Sequence, residues 1–215
     1  MGISGGPNII ESGLVDAYSG IDKNSYLGTG ATWYSLVNGG TSPGDPSWAN
    51  NASQITVQLW LEKTGTGTGY ANHPVAKWNT AYNVNASFIL YHFENYLGNN
   101  QDGLLVWYGY TTGNGWTGIA GSGAWMVSGE IANIVLQFNT SSGGGIMWKN
   151  GAKTGGRSGT TGNIGPTTSA TAAIGLYGPE AAGTSKVKEI YFYNRELSDN
   201  EIIYNYNANK SRYGL

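Results

Sequence analysis

Apolar and polar residues alternate most cleanly at residues 55–62. Ile55, Val57, Leu59 and Leu61 define one face there, and Thr56, Gln58 and Glu62 the other. A period of two predicts a half-buried β-strand. Trp60 falls among the polar positions, which places its ring on the wet side. The same alternation runs through Ile134, Leu136 and Phe138 against Val135, Gln137 and Asn139. In a first strand over 13–18, Leu14, Asp16 and Tyr18 oppose Val15 and Ala17. Further strands are predicted at 75–78, 86–93, 104–110, 131–139, 146–149, 172–177 and 186–193. Residues 88–93 are apolar almost throughout, the pattern of a central strand covered on both faces. Lys149-Asn150-Gly151-Ala152 carries Asn-Gly, a pair that adopts positive φ readily and so predicts a tight hairpin.

The pattern changes only at the end of the chain. After a turn at Asn194-Arg195, Ser198 and Glu201 form an S-x-x-E capping box, which satisfies two orphan amides at a helix start. Ile202, Ile203 and Tyr206 supply the apolar stripe of the helix that follows. Nothing upstream has helical periodicity. Eight to ten strands, no repeat of 20–50 residues and no linker therefore predict two antiparallel sheets packed face to face in jelly-roll style, closed by one short C-terminal helix. The expected organisation is an N-terminal arm, residues 1–12, and one sandwich domain, residues 13–215.

Composition supports a folded, loop-rich β protein. The 215 residues include 35 glycines, clustered between apolar runs, and only 11% are charged. With 40% hydrophobic residues, 8 Trp and 15 Tyr, there is ample material for a core. The net charge of −2 and the lack of a basic run disfavour nucleic acid as a partner. Cysteine is absent, which excludes disulfides, thiolate metal sites and cysteine nucleophiles. No apolar run approaches the ~20 residues of a membrane span. Met1-Gly2-Ile3-Ser4-Gly5-Gly6-Pro7 has neither a charged nor an apolar leader region, so no signal peptide is expected.

Candidate chemistry is sparse. Glu196, Asp199 and Glu201 are the densest carboxylates, but they flank a helix start and complement its dipole. His73 lies in a loop before Pro74, and His92 in the apolar strand reads as a core histidine. Aromatics carry the remaining signal. Trp107, Tyr108, Tyr110, Trp116 and Trp125 are interleaved with Gly113-Asn114-Gly115 and Gly121-Ser122-Gly123. Trp and Tyr rings stack on the apolar faces of sugars or anchor protein interfaces, and Asn amides reach hydroxyls. Trp107, Tyr108, Tyr110, Asn114, Trp116 and Trp125 are therefore candidate ligand-contacting residues. Core filling, a protein interface and a glycan platform compete for them, in that order.

Several segments resemble laminin-G-like, concanavalin A-like lectin–glucanase domains of the type found in structural proteins of tailed phages. The opening Gly13-Leu14-Val15-Asp16-Ala17-Tyr18, then Ser25-Tyr26-Leu27-Gly28-Thr29-Gly30-Ala31-Thr32-Trp33-Tyr34-Ser35-Leu36, is similar to the opening of such domains. The strand at 55–62 and the Trp148-Lys149-Asn150-Gly151 hairpin fit its middle, and Tyr193-Asn194-Arg195-Glu196-Leu197-Ser198-Asp199-Asn200-Glu201 with Asn205-Tyr206-Asn207-Ala208 fits its end. After Leu36 this chain runs Val37-Asn38-Gly39-Gly40-Thr41, where relatives have Ser-Gly-Asn-Gly-Asn, so a ligand site on that loop is not carried over.

The resemblance implies a non-enzymatic virion structural protein, an exterior capsid decoration protein contacting other capsid or tail proteins. The alternative is a carbohydrate-binding tail or fibre adhesin that recognises host surface glycans. It further implies a location on the virion exterior after synthesis in the host cytoplasm, no membrane association, and room for a homo-oligomer. The family's retaining glucanases carry E-x-D-x-x-E on one strand, and this chain has no such triplet. Related domains often hold Ca²⁺. Asp102, in Gly98-Asn99-Asn100-Gln101-Asp102-Gly103, is the candidate ligand for it, set against the plain-turn reading of an Asn-Asp-Gly cluster; no other cofactor is expected.

Overall fold

The computed structural model describes residues 9–19, 49–65, 72–77, 88–92, 103–119, 124–165, 172–174 and 185–215. Among the described residues, twelve strands fall in two antiparallel sheets. The first has the order β1 (Leu14–Ser19), β12 (Ser185–Tyr193), β2 (Gln54–Lys63), β8 (Ile131–Asn139), β9 (Gly144–Lys149) and β10 (Ala152–Lys153). The second has the order β11 (Ala172–Ile174), β3 (Asn72–Lys77), β4 (Phe88–His92), β5 (Leu104–Thr111) and β6 (Gly115–Gly118), with β7 (Ala124–Trp125) also paired to β5. A helix, α1 (Asp199–Asn209), follows β12 and runs into a 3₁₀ turn over Lys210–Tyr213. This is the expected two-sheet sandwich with a short C-terminal helix. The strands not foreseen, β6, β7 and β10, are four, two and two residues long, too short for alternation to register.

The core between the sheets collects the apolar faces that alternation defines: Ile55, Val57, Leu59 and Leu61 from β2, Ile134, Leu136 and Phe138 from β8, and Phe88, Leu90, Leu105 and Trp107 from the opposite sheet. The Asn-Gly hairpin forms as expected. Asn150 and Gly151 take φ of 51° and 77° between β9 and β10.

In β1 the faces differ from a simple alternation. A bulge between Leu14 and Asp16 in the pairing with β12 inserts one extra residue. Val15 and Tyr18 consequently face the inter-sheet core, whereas Leu14 and Ala17 face the other way. A bulge shifts side-chain facing by one position, which a strict period of two does not anticipate.

The larger correction concerns the outer face of the first sheet. Thr56, Gln58 and Trp60, expected to be wet, are fully buried, as are Asn133 and Gln137 on β8. They lie beneath a third layer made of α1, the 3₁₀ turn and the segment that leads into them. Trp60 stacks on Tyr206 and Tyr213, with ring centroids 5.9 and 4.3 Å away. A second apolar cluster joins Ala17, Val135, Ile146, Trp148, Tyr191, Tyr193, Leu197 and Ile202. The helix contributes Ile202, Asn205 and Asn209 to this layer and lays Tyr206 on Trp60; of the predicted stripe of Ile202, Ile203 and Tyr206, only Ile203, 40% exposed, is corrected.

Polar partners make that burial affordable. The Gln58 amide donates to Asn133 Oδ1 (2.9 Å), Asn205 donates to Gln58 Oε1 (2.9 Å) and to the Tyr193 hydroxyl oxygen (3.0 Å), and the indole of Trp148 donates to Gln137 Oε1 (2.8 Å). Thr56 Oγ1 donates to the Arg195 carbonyl (2.8 Å) and accepts from the Leu197 amide (3.0 Å). Buried polar groups are tolerated when satisfied in this way.

Of the arm expected at residues 1–12, residues 1–8 lie outside the described residues. Ile9 and Ile10 pack against the outer cluster, and the Ile10 amide donates to Asn205 Oδ1 (2.8 Å). This part of the arm is therefore bound to the body of the domain.

The capping box forms as predicted, with Ser198 and Glu201 each meeting the other's backbone amide. Glu201 also makes a two-pronged ion pair with Arg195 (2.9 and 2.7 Å). Bonding to Arg195, with help from the Ser198 groups, outweighs partial burial and lowers the Glu201 carboxyl to about 2. Because the folded value is depressed, this carboxylate stabilises the fold fully above the unfolded carboxyl range, and the contribution fades as pH falls from about 4.5 to about 2. Melting temperature measured against pH is expected to drop through that window, and Glu201→Gln is expected to make the drop shallower while lowering stability at neutral pH.

Candidate functional site

Among the candidate aromatics whose side chains are described, Trp125 is the most exposed, at 50%, and Val127 two residues on is 70% exposed. Met126 between them is buried in the inter-sheet core. One residue thus anchors the segment while its neighbours on either side project into solvent, the out–in–out order of an extended chain.

The backbone of this tip is held from several directions. Trp125 pairs with Leu104 on β5, and the Met126 amide donates to the Gly103 carbonyl (2.8 Å). Gly103 has φ of 86°, and a Cβ there would lie 1.9 Å from the Met126 carbonyl oxygen, so glycine is required for the close approach. A turn follows in which the Glu130 amide donates to the Val127 carbonyl (3.0 Å) and Glu130 Oε2 accepts from the Val127 amide (2.9 Å). Glu130 Oε1 pairs with Lys149 (2.6 Å), and Lys149 also donates to the Trp125 carbonyl oxygen. Lys63 ties the turn to β2 through its backbone, donating to the Glu130 carbonyl (2.9 Å) and accepting from the Gly129 amide (2.7 Å). A half-exposed indole on so constrained a backbone offers a flat apolar face without an ordering cost on binding.

The other candidate residues are distributed along β5. Trp107 is fully buried in the core, paired across β4 with Leu90, and is unavailable to a ligand. Tyr108 pairs with Gly118 in the backbone, and its side chain lies outside the described set, as does that of Trp116. Tyr110 is half-buried and sits directly opposite Trp116 in register. Leu104, the partner of Trp125, is six residues from Tyr110, a separation of roughly 20 Å at the rise of an extended strand. The set therefore does not converge on one compact spot but marks the two ends of a strand-long track.

Asn114 is exposed in the turn between β5 and β6, and its Oδ1 accepts from both the amide (2.6 Å) and hydroxyl (3.0 Å) of Thr161. With Thr112 bonded to Asn163 and Asn163 to Asn51, it stitches three loops together. Asn114 thus has a structural role at this end of the sandwich. Asp102 lies outside the described residues. Among those described, no group of three His, Asp or Glu is placed to hold a metal ion.

The sequence singles out Trp125 as a site candidate but not Val127, Lys149 or Glu130. The detectable signal was local: Ala124-Trp125-Met126-Val127 is a fully apolar run between Gly123 and Ser128-Gly129, and exposing two of its large members is uncommon. The described carboxylates outside the tip are engaged in structure. Glu62 pairs with Lys188, Glu196 with Arg157, Asp199 with Lys153 and Glu189 with Arg212. The buried imidazole of His92 bonds Ser185 Oγ through Nδ1, the core role expected for it.

No family model matches this chain, and no curated protein matches it. Solved structures do. A Trypanosoma rangeli sialidase in complex with 2,3-difluorosialic acid superposes with a TM-score of 0.63 at 14% identity, over 95% of this chain and 34% of the sialidase. The same enzyme in complex with sialic acid gives 0.59 at 14% identity, over 94% and 34%. The binding domain of Paraclostridial mosquitocidal protein 1 gives 0.63 at 13% identity, over 91% of this chain and 52% of that one. The chain spans about a third of the sialidase's length and about half of the binding domain's. At such identities the likeness is one of fold: an all-β sandwich of the kind found in sialidase and lectin-like structures. These neighbours do not point specifically to a tailed-phage virion.

Proposed function

We propose that this domain binds carbohydrate without transforming it, with Trp125 as the ring on which a sugar stacks. The observation that carries the reading is the presentation of Trp125 and Val127 by a buried Met126, on a turn braced by Glu130 and Lys149. The fold gives it support, since structural neighbours include an enzyme crystallised with sialic acid and a domain described as a binding domain. The pairing of the described Glu62, Glu130, Glu189, Glu196, Asp199 and Glu201 with Lys or Arg gives these carboxylates structural partners, in keeping with a non-catalytic role.

A glycan array followed by calorimetric titration of the best ligand tests this. Trp125→Ala is expected to weaken binding by about tenfold or more, the scale of losing a central aromatic anchor, with the circular dichroism spectrum and melting temperature nearly unchanged because the ring is half exposed. An array on which the folded wild type binds nothing would sink the proposal. The finer placement, on the exterior of a tailed-phage particle, draws its support from the sequence resemblance; co-sedimentation with capsids lacking the protein checks it.

A further inference from the structure

We infer that the sugar taken at Trp125 is uncharged, a neutral hexose or N-acetylhexosamine ring in preference to a sialic or uronic acid. This rests on the carbohydrate-binding reading and narrows its ligand class.

The argument starts from the charges beside the indole. An acidic sugar is held best by a charge-assisted hydrogen bond, roughly twice as strong as a neutral one. Among the described residues, Lys149 is the cation whose side chain joins the tip, and its ammonium is committed twice over, to Glu130 Oε1 at 2.6 Å and to the Trp125 carbonyl. Glu130 is committed in turn, its other oxygen holding the Val127 amide at 2.9 Å. Moving Lys149 to meet a ligand carboxylate would break the brace that orients Trp125. Leaving it in place presents the ligand with a compensated pair, whose attraction for an anion largely cancels. Lys63, which contacts the same turn through its backbone, has a buried side chain.

The apolar neighbour points the same way. Val127, 70% exposed, extends the hydrophobic surface next to the ring. A carboxylate laid there would lose hydration without recompense, whereas the C–H face of a pyranose covers such a surface favourably. Glu130 therefore acts as a specificity-determining residue. It fixes the tip and cancels the charge of Lys149, which would otherwise recruit an acid.

The test is an array of neutral oligosaccharides printed beside their sialylated and uronic acid-capped counterparts, with affinities then measured between about 0.05 and 0.5 M salt, a range over which exposed charge attraction is strongly screened. Wild type is expected to bind neutral members with less than about a twofold change across that range. Glu130→Gln, which removes the compensating charge, is expected to gain salt-sensitive binding to sialylated members. Wild type that prefers acidic members, with affinity falling as salt rises and lost in Trp125→Ala, would overturn this inference and leave the carbohydrate reading standing. Folded wild type that binds no member overturns the parent reading instead. If Glu130→Gln folds and gains nothing, charge cancellation is not the determinant; if it fails to fold, the wild-type salt titration decides alone.

Discussion

Trp60→Ala is expected to lower the unfolding free energy by about 3–5 kcal/mol, the range for deleting a fully buried aromatic side chain. Trp60 is 0% exposed on the outer face of β2. Its ring is the surface on which Tyr213 (4.3 Å) and Tyr206 (5.9 Å) rest in near-parallel stacks. Removing it leaves a void under the 3₁₀ turn, which the pair between Arg212 and the buried Glu189 (2.9 Å) still ties to the sheet. Urea unfolding should show a lower midpoint with little change in slope. The indole nitrogen of Trp60 has no hydrogen-bond partner among the described residues, so Trp60→Phe, which keeps a stacking ring, is expected to cost far less. Equal losses in the two variants would show that stacking is not what secures the C-terminal layer.

Asn205→Ala ranks second, at about 2–4 kcal/mol. A single carboxamide serves three elements: its oxygen accepts from the Ile10 amide (2.8 Å), and its nitrogen donates to Gln58 Oε1 (2.9 Å) and the Tyr193 oxygen (3.0 Å). Truncation leaves these groups without a partner where water does not reach Gln58 or Tyr193. Each such loss costs ~1 kcal/mol or more, and the better helix propensity of alanine returns only ~0.7 kcal/mol or less. Burial already pushes the Tyr193 phenol above its usual range, so it stays protonated and cannot compensate by ionising. Thermal unfolding gives the total, and hydrogen exchange should show protection lost first in α1 and at Ile10. A variant as stable as wild type would mean that packing of Ile202 and Leu197 alone docks the helix.

These two sites also mark where sequence reading stops. Alternation in 55–61 correctly separated two faces of β2, because inward residues must be apolar whatever covers them. It did not reveal that Thr56, Gln58 and Trp60 are covered as well. Their partners lie far along the chain, Asn205 being 147 residues from Gln58, and a polar side chain satisfied by another polar side chain leaves no hydrophobic period. The helix shows the same limit. Its start was legible because a capping box is local, whereas the place of Asn205 on its buried side was not, because that residue docks through hydrogen bonds to Gln58 and Tyr193. The Asn-Gly turn was legible for its own local reason, while the β1 bulge was hidden because it depends on the register with β12. At the candidate site, Trp125 stood out by residue type, but its brace from Glu130 and Lys149 depends on β8 and β9 lying side by side.

The outer strands of the first sheet bear on how copies of this molecule avoid one another. Among the described residues that sheet terminates at β10, two residues long, and at β1, which carries a bulge. A short or kinked border gives a foreign chain too few aligned amide and carbonyl groups to zip onto. Runaway fibril growth by strand addition is thereby discouraged at both borders of this sheet.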